Sequence, residues 1–567
     1  MSRDLRVLIV GGYGVFGGRI VDLLRNEPRL TLIVAGRSLP SARAFCAARA
    51  NTEAVLEAAR LDRDLDAAAQ IAPLLPDIVV DASGPFQAYG AGRYRLVEAC
   101  IAQRVNYLDL ADGSEFVSGV GAFDAAARTA GMHVLSGVSS FPVLTAAVVR
   151  RLTHDVKRVD AITGGIAPSP FAGVGENVVR AIASYAGRPV RVRRDGAETT
   201  GRPFTEHRRF TIAPPGRLPL GSTMFSLVDV PDLRVLAALW PEAKNVWMGA
   251  GPVPALLHRA LVACAWLVRL GIARSLAPLA PLMHIAANRV RWGEHRGGMF
   301  VEITGAGADG APIKRSWHLI AEGDDGSFIP SMAIEAIVRG HLDGKPPQPG
   351  ARAATSELEI EDYERLFAGR AIFTGVREQP TEQASLYRRI LGEAWALLPE
   401  PIRALHDGTD GAIAEGTASV ERGRSPLAVL AALLLGFPAP GDNVPVQVKF
   451  SVRGGRERWR RTFAGKSFSS EQFAGVGRSD ALLCERFGPL AFAMALVVSG
   501  ERLDLVLRRW SAFGVPLPLW LAPRSNSFET VEGGAFRFHV EISHPWVGLI
   551  VRYRGTLSRL SGARLAA

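Results

Sequence analysis

The sequence predicts three kinds of structure in series: an α/β domain on a parallel sheet, an α+β middle domain, and a mainly antiparallel β domain forming a curved sheet or partial barrel. Three observations carry this. Short Val/Ile/Leu runs alternate with helical patterns over residues 1–138, as βα units do. A long strand–turn–strand pattern marks residues 139–350. Period-two alternation dominates residues 384–567.

The first strand is Leu5-Arg6-Val7-Leu8-Ile9-Val10, an apolar run of the kind buried on both faces. It enters Gly11-Gly12-Tyr13-Gly14-Val15-Phe16-Gly17-Gly18, after which Ile20, Val21 and Leu24 recur at helical spacing. Gly12-x-Gly14-x-x-Gly17 between strand and helix is the dinucleotide fingerprint in the context that makes it credible. Gly12 permits a sharp turn, Gly14 puts no side chain in front of a pyrophosphate, and Gly17 lets helix and strand pack closely. The helix's free amides and positive dipole end then meet the phosphates. Residues 11–17 are the expected coenzyme loop, a Rossmann-type nucleotide site.

The second strand, Leu32-Ile33-Val34-Ala35, selects the nucleotide. An NAD-binding chain usually carries an acid here for the ribose 2′-hydroxyl. This one reads Ala35-Gly36-Arg37-Ser38. A guanidinium and a hydroxyl suit a 2′-phosphate, so NADP(H) is expected ahead of NAD(H), read by Arg37 and Ser38. The alternative is that Arg37 is a solvated loop residue. Asp62, after the third strand, is expected beside the adenine. The fourth strand, Asp77–Asp81, ends in Ala82-Ser83-Gly84-Pro85-Phe86, which should line the crevice at the nicotinamide half. Asn106–Leu110 and residues 133–138 are the fifth and sixth strands, the last opening into Ser139.

A hydride transfer needs a polar group to exchange a proton near the reacting carbon. Tyr107, Asp109 and Ser139, with Asp112 nearby, are the candidates at strand ends; Asp109 reads equally as a cap or structural carboxylate. No Tyr-x-x-x-Lys pair stands in the place a short-chain reductase would need. His133 and His318 read as structural.

A chain of 567 residues exceeds one core. Apolar content of 48% and charged content of 21% describe a folded protein. The net charge of +11 is scattered without a basic run, which suggests a mildly anion-attracting surface and is weak evidence for nucleic acid; the expected partner is a small-molecule substrate, with no nucleic acid. Cys46, Cys100, Cys264 and Cys484 lie far apart, so neither a disulfide framework nor a metal site is expected. With a strand starting almost at once and no room for a signal peptide, the expected compartment is the cytoplasm.

In the middle domain Met299, Val301 and Ile303 alternate, Gly307-Ala308-Asp309-Gly310 turns, and Ile313 to Ala321 returns with Trp317 and Leu319 on one face. Pro254 to Ala287 is unusually apolar, but His258, Arg259, Arg269 and Arg274 interrupt it, and Gly271, Pro278 and Pro281 break it. Two buried or interface helices are expected, not a membrane span. Weak membrane-surface contact and a homodimer stay open here. Residues 351–377 are expected to return to the first domain, and Arg377 to Glu382 is the best domain boundary.

In the last third Val446, Val448, Phe450 and Val452 oppose Gln447, Lys449, Ser451 and Arg453; Gly454-Gly455 turns, and Trp459 and Phe463 follow. Similar pairs run to Leu549, Val551 and Tyr553. Arg461 falls on the apolar face with Trp459 and Phe463. It can meet the carboxylate or phosphate head of an apolar ligand, or it can fold to water or pair with Glu485.

Gly11-Gly12-Tyr13-Gly14-Val15-Phe16-Gly17-Gly18, Ala35-Gly36-Arg37, Ala82-Ser83-Gly84-Pro85-Phe86, Glu98-Ala99-Cys100-Ile101 and Tyr107-Leu108-Asp109-Leu110, in that order, resemble the saccharopine dehydrogenase-like NADP-binding family over about the first 140 residues. The resemblance implies a Rossmann domain, NAD(P) and a reductase or dehydrogenase, with Gly12, Gly14, Gly17, Arg37 and Ser83-Gly84-Pro85 touching the cofactor. It does not imply saccharopine as substrate. Leu391-Gly392-Glu393-Ala394-Trp395, Leu405-His406-Asp407, Glu485-Arg486-Phe487-Gly488-Pro489 and Arg552-Tyr553-Arg554-Gly555 resemble a family of uncharacterised domains fused behind such halves. The expected function is an NADP(H)-dependent oxidoreductase acting on a partly apolar carbonyl, imine or enoyl substrate. The alternative is a non-catalytic NADP-binding sensor, or a membrane-peripheral protein that binds an apolar ligand.

Overall fold

A computed structural model describes residues 4–252, 254–379, 384–408 and 410–560. The expected boundary at Arg377 to Glu382 falls partly on residues 380–382, outside the described residues. The chain divides into two compact units, one of residues 1–208 and 224–373, the other of residues 209–223 and 374–567.

In the first unit a parallel sheet is built from β1 (Leu5–Val10), β2 (Leu30–Gly36), β3 (Val55–Arg60), β4 (Ile78–Asp81), β5 (Asn106–Asp109) and β6 (His133–Ser136). Their spatial order is β6-β5-β4-β1-β2-β3, and Gly350–Ala353 adds in parallel beside β6. Every residue of β2 is buried, as its unbroken apolar run requires in a sheet covered on both faces. The order reverses between β1 and β4, which opens a crevice at their carboxyl ends, where such sheets bind ligands. The helix after β1, α1 (Val15–Leu24), turns Ile20, Val21 and Leu24 inward.

The same unit holds a mixed sheet. Its long strand Val156–Ala167 pairs in parallel with Asn245–Ala250 and antiparallel with Arg296–Gly307. The expected hairpin is present: Met299 faces Leu319 and Val301 faces Trp317, with Gly310 at φ +81° in the turn. The apolar stretch after Pro254 forms helices Ala255–Arg269 and Ala280–Arg289, of whose residues only His258, Ala265 and Ala280 are buried. Leu256, Leu267, Leu270, Leu282 and Ile285 stay exposed, so of the two expected forms, buried or interface helices, these are not buried within the chain. No helix among the described residues is long and apolar enough to cross a membrane.

The second unit is a closed antiparallel barrel. The sequence predicts only curvature; the structure completes the ring. Ile413–Arg422 lies between Gly441–Arg453 and Gly548–Arg559, and pairing continues both ways until Leu490–Ser499 meets Arg502–Ala512. Val446, Val448 and Phe450 point inward, opposite Phe463, Arg461 and Trp459. Gly454 and Gly455, both at positive φ, make the turn between these strands.

Candidate functional site

β1 ends at Val10, and Gly11 turns the chain at φ +79°, where a Cβ would stand 2.9 Å from the Ala82 carbonyl oxygen. The Gly11 and Gly12 amides both donate to the Ala35 carbonyl, at 2.8 and 3.0 Å, which fixes the loop to the end of β2. Gly14 precedes α1 with no side chain to cap it, and no acid stands in the first turn. A Cβ on Gly17 would overlap the Gly11 carbonyl oxygen and lie 2.7 Å from Gly12 Cα. Gly14 and Val15 are exposed while Gly17 is buried. The opening therefore offers bare backbone at a helix N-terminus, which fits the pyrophosphate of a dinucleotide.

Around this cradle the remaining coenzyme candidates divide. Tyr13 turns back into the protein: its hydroxyl accepts from the Ser38 amide at 3.1 Å and its ring lies against Gly36. Phe16 is half-buried, with the Arg19 guanidinium 5.4 Å from its ring centre. The Ser38 hydroxyl accepts from the Ser41 amide at 3.3 Å and caps helix Leu39–Ala47. Arg37 is exposed, and among the described residues nothing pairs with its guanidinium. Asp62 accepts from the Asp64 amide at 3.1 Å, so this carboxylate also holds its own turn. The Ser83 hydroxyl donates to Asp81 Oδ1 at 2.5 Å and lies 2.9 Å from the Tyr89 hydroxyl. Asn177, from the helix Glu176–Tyr185, donates to the Ser83 and Gly84 carbonyls at 3.1 and 2.9 Å. The Ser83-Gly84-Pro85 turn thus sits at the carboxyl end of β4, with the middle domain packed against it.

Two of the expected proton-transfer residues are fully buried. Tyr107 is fully buried among Val79, Cys100 and Val134. β5 is covered on both faces, so a polar residue near its end need not face the crevice. Asp109 is fully buried, and its Oδ1 accepts from the Gly137 and Ala111 amides and the Ser136 hydroxyl. Burial pushes its carboxyl up to about 7, while those three donors pull it down. It holds β5 to the turn after β6. Ser139 is half-buried and precedes the helical turn Ser140–Leu144. It is not among the residues that wall the pocket described next. Arg461, in the other unit, faces the barrel interior and pairs with Glu485 at 3.0 Å.

The first unit contains a pocket of about 490 Å³. Gln87, Ser114 and Phe116 wall it from the parallel-sheet side, and Tyr185, Arg234 and Asp229 from the middle domain. The Ser114 hydroxyl donates to Asp229 Oδ1 at 2.5 Å, and the Gln87 amide donates to Asp112 Oδ1 at 3.0 Å. Burial raises the Asp229 carboxyl above its ordinary range. Asp112 rises to about 6, from burial first, with the Asp229 charge adding to it. Burial and these two carboxylates hold the Tyr185 phenol well above its usual range. Two carboxylates raised by burial beside a tyrosine are the groups of this site suited to hold a proton. Reading the sequence finds Asp112 but misses Asp229, Gln87, Ser114 and Tyr185. Asp229 follows the strand Thr223–Leu227 by two residues, and that acid after an apolar strand is its only signal.

Comparison with known proteins bears on both units. Residues 7–135 match the saccharopine dehydrogenase NADP binding domain, and residues 398–557 match a domain of unknown function, DUF4166. No curated protein matches the chain in sequence. Among solved structures, apo histidine-tagged saccharopine dehydrogenase (L-Glu forming) from Saccharomyces cerevisiae is 16% identical. Its match covers 66% of this chain and 99% of the yeast chain, with a TM-score of 0.49. GenD2 from gentamicin A biosynthesis, in complex with NAD, is 13% identical, covering 67% of this chain and 98% of its own with a TM-score of 0.31. The chain therefore joins an N-terminal domain of the saccharopine dehydrogenase NADP-binding family, a site for a nicotinamide dinucleotide, to a C-terminal barrel of the DUF4166 family.

Proposed function

We propose that the protein is an NADP(H)-dependent oxidoreductase acting on a carbonyl, imine or enoyl substrate in the pocket at the carboxyl ends of β4 and β5. The observation that carries this reading is the bare, uncapped start of α1 at Gly14, beside the crevice of the parallel sheet. Gly11, Gly12, Gly14, Val15, Phe16 and Gly17 would hold the pyrophosphate, and Ser83-Gly84-Pro85 would bound the nicotinamide side. The coenzyme, when bound, supplies or accepts the hydride.

The chain's own residues do the rest. Phe86, Phe116 and Tyr185 supply an apolar wall, and Arg93, Arg188 and Arg191 add positive charge at the same pocket, which favours a substrate carrying an anionic group as well as an apolar part. Asp229, oriented by Ser114 through Oδ1 and raised by burial, exchanges the proton. Titrating purified protein with NADPH and following its fluorescence tests the reading; a screen of anionic ketones and imines for NADPH turnover completes it. No fluorescence change at saturating NADPH would refute it.

Two outcomes follow. Arg37→Glu is expected to weaken NADPH at least about tenfold while leaving NADH within about twofold, because it sets a carboxylate against the 2′-phosphate and leaves the pyrophosphate cradle alone. Parallel titrations with the two coenzymes check this. Asp229→Asn is expected to lower turnover by about a hundredfold or more, with coenzyme affinity unchanged. The sign of the pH dependence follows from the raised carboxyl. In the direction where Asp229 acts as base, the rate rises with pH through that raised value, and Asp229→Asn removes the rise.

A further inference from the structure

The barrel of the second unit encloses a cavity of about 180 Å³. Its wall is aliphatic and aromatic, with Val448, Phe463, Met494, Leu507 and Phe538 facing in. Protein interiors are close-packed, and an unfilled apolar void forfeits dispersion contacts along its whole lining. Such a void stays dry and takes up apolar solutes. Its volume corresponds to roughly a dozen water-sized positions, so the matching solute is one chain of about a dozen non-hydrogen atoms.

The two ends of the barrel differ in chemistry. Register places Arg461 opposite Val448, Val448 opposite Ala414, and Ala414 opposite Arg559. Arg559 donates to the Ala404 carbonyl, so this end is closed by the helix Glu400–His406. The polar groups gather here: Arg461 pairs with Glu485, Gln472 donates to Glu485 at 3.1 Å, and the Tyr387 hydroxyl donates to Gln472 at 3.3 Å. At the other end Leu435, Phe437, Ser525 and Ile550 line the cavity. Leu435 directly follows the helix Pro426–Leu434, whose Leu427, Leu430, Leu433 and Leu434 are all more than half exposed. The Ser425 hydroxyl, capping that helix, also donates to the Val547 carbonyl at 2.7 Å. Next to Val547 stands Trp546, 71% exposed and 6.4 Å from the equally bare Trp520. From Arg422 to Gly441 the chain carries two arginines and no acid.

We propose that the barrel binds a single medium-length aliphatic chain with an uncharged polar head, drawn from a phospholipid bilayer on which the leucine helix and the two tryptophans dock. The exposed Leu434 is followed directly by Leu435 of the cavity lining, and the flanking arginines suit anionic headgroups. Aromatic rings with a polar edge favour the same interface. The head is uncharged because Arg461 is already neutralised by Glu485. A carboxylate head would meet Glu485, already paired with Arg461, and the buried Glu529, already paired with His406 at 2.7 Å, and among the described residues no other arginine or lysine lines the cavity to receive it. The proposal stands apart from the redox reading and needs no coenzyme.

The test uses the full chain. Dodecan-1-ol should displace the fluorophore 1-aminoanthracene saturably from the wild type, and dodecanoate should do so at least about tenfold more weakly. Leu507→Trp, which fills the cavity from its wall, should abolish displacement. Leu434→Asp with Trp546→Asp should leave dodecan-1-ol binding intact while cutting co-sedimentation with phosphatidylcholine–phosphatidylglycerol vesicles severalfold. Absence of saturable displacement in the wild type overturns the cavity assignment, whatever the variants do. Dodecanoate binding as tightly as the alcohol overturns the uncharged head. Vesicle binding unchanged in the double rim variant overturns the bilayer as the source.

Discussion

Gly17→Ala is expected to abolish NADPH binding and to lower the stability of the first unit by about 2 kcal/mol. The cause is backbone against backbone. A Cβ at position 17 overlaps the Gly11 carbonyl oxygen and comes within 2.7 Å of Gly12 Cα, and neither can rotate away as a side chain could. α1 must therefore move off β1, and the Gly11 and Gly12 amides lose their shared acceptor, the Ala35 carbonyl. Both losses fall on the segment that faces the pyrophosphate, so binding and stability fall together. Gly14→Ala separates them. Its Cβ would meet only the Gly11 carbonyl oxygen, at 3.0 Å, and otherwise open space. That variant should keep most of its stability and still lose coenzyme affinity, because the methyl stands where the phosphates approach. NADPH titration beside thermal unfolding distinguishes the two. Equal affinity in wild type and Gly14→Ala would remove the loop from the coenzyme site.

How far the fold can be read depended on whether one face or two are buried. The strands of the parallel sheet announce themselves as unbroken apolar runs, and β2 is buried at all seven positions. For the same reason their side chains carry no information about which face looks into the crevice, and Tyr107 goes into the core against expectation. The barrel strands bury one face, so alternation places Val446, Val448, Arg461 and Phe463 correctly inside. Closure of the ring is another matter. It depends on the barrel's first strand meeting its last, Gly416 against Leu557, a pairing between distant segments set by accumulated twist and not by any local pattern. The candidate site divides in the same way. Its coenzyme loop is a contiguous motif and is legible; Asp229 lies 117 residues beyond Asp112 in the chain, and only folding brings their charges within reach of each other.

Arg461→Leu is expected to destabilise the barrel by about 3–5 kcal/mol, the cost of stranding a buried charge. The side chains of Arg461 and Glu485 are 14% and 10% exposed, and their Nη2–Oε1 distance is 3.0 Å. Arg461 also donates to the Ser470 hydroxyl at 2.7 Å and stands 4.9 Å from the Trp459 ring centre. Without it, Glu485 keeps the Ser470 hydroxyl at 2.6 Å and the Gln472 amide at 3.1 Å, two neutral donors, and no cation. Removing both partners tells a charge effect from a packing effect. Arg461→Met with Glu485→Met leaves no buried charge and fills a similar volume, so it should recover most of the loss. The chain has two units, so its unfolding need not be a single transition. Amide hydrogen exchange of the barrel strands, recorded against denaturant, follows the barrel. A double variant as unstable as Arg461→Leu would mean that the arginine matters for its contacts with Trp459 and Phe468 and not for its charge. In that event the interior of the barrel would tolerate an anion, and a carboxylate-headed chain would become as acceptable a ligand as an alcohol.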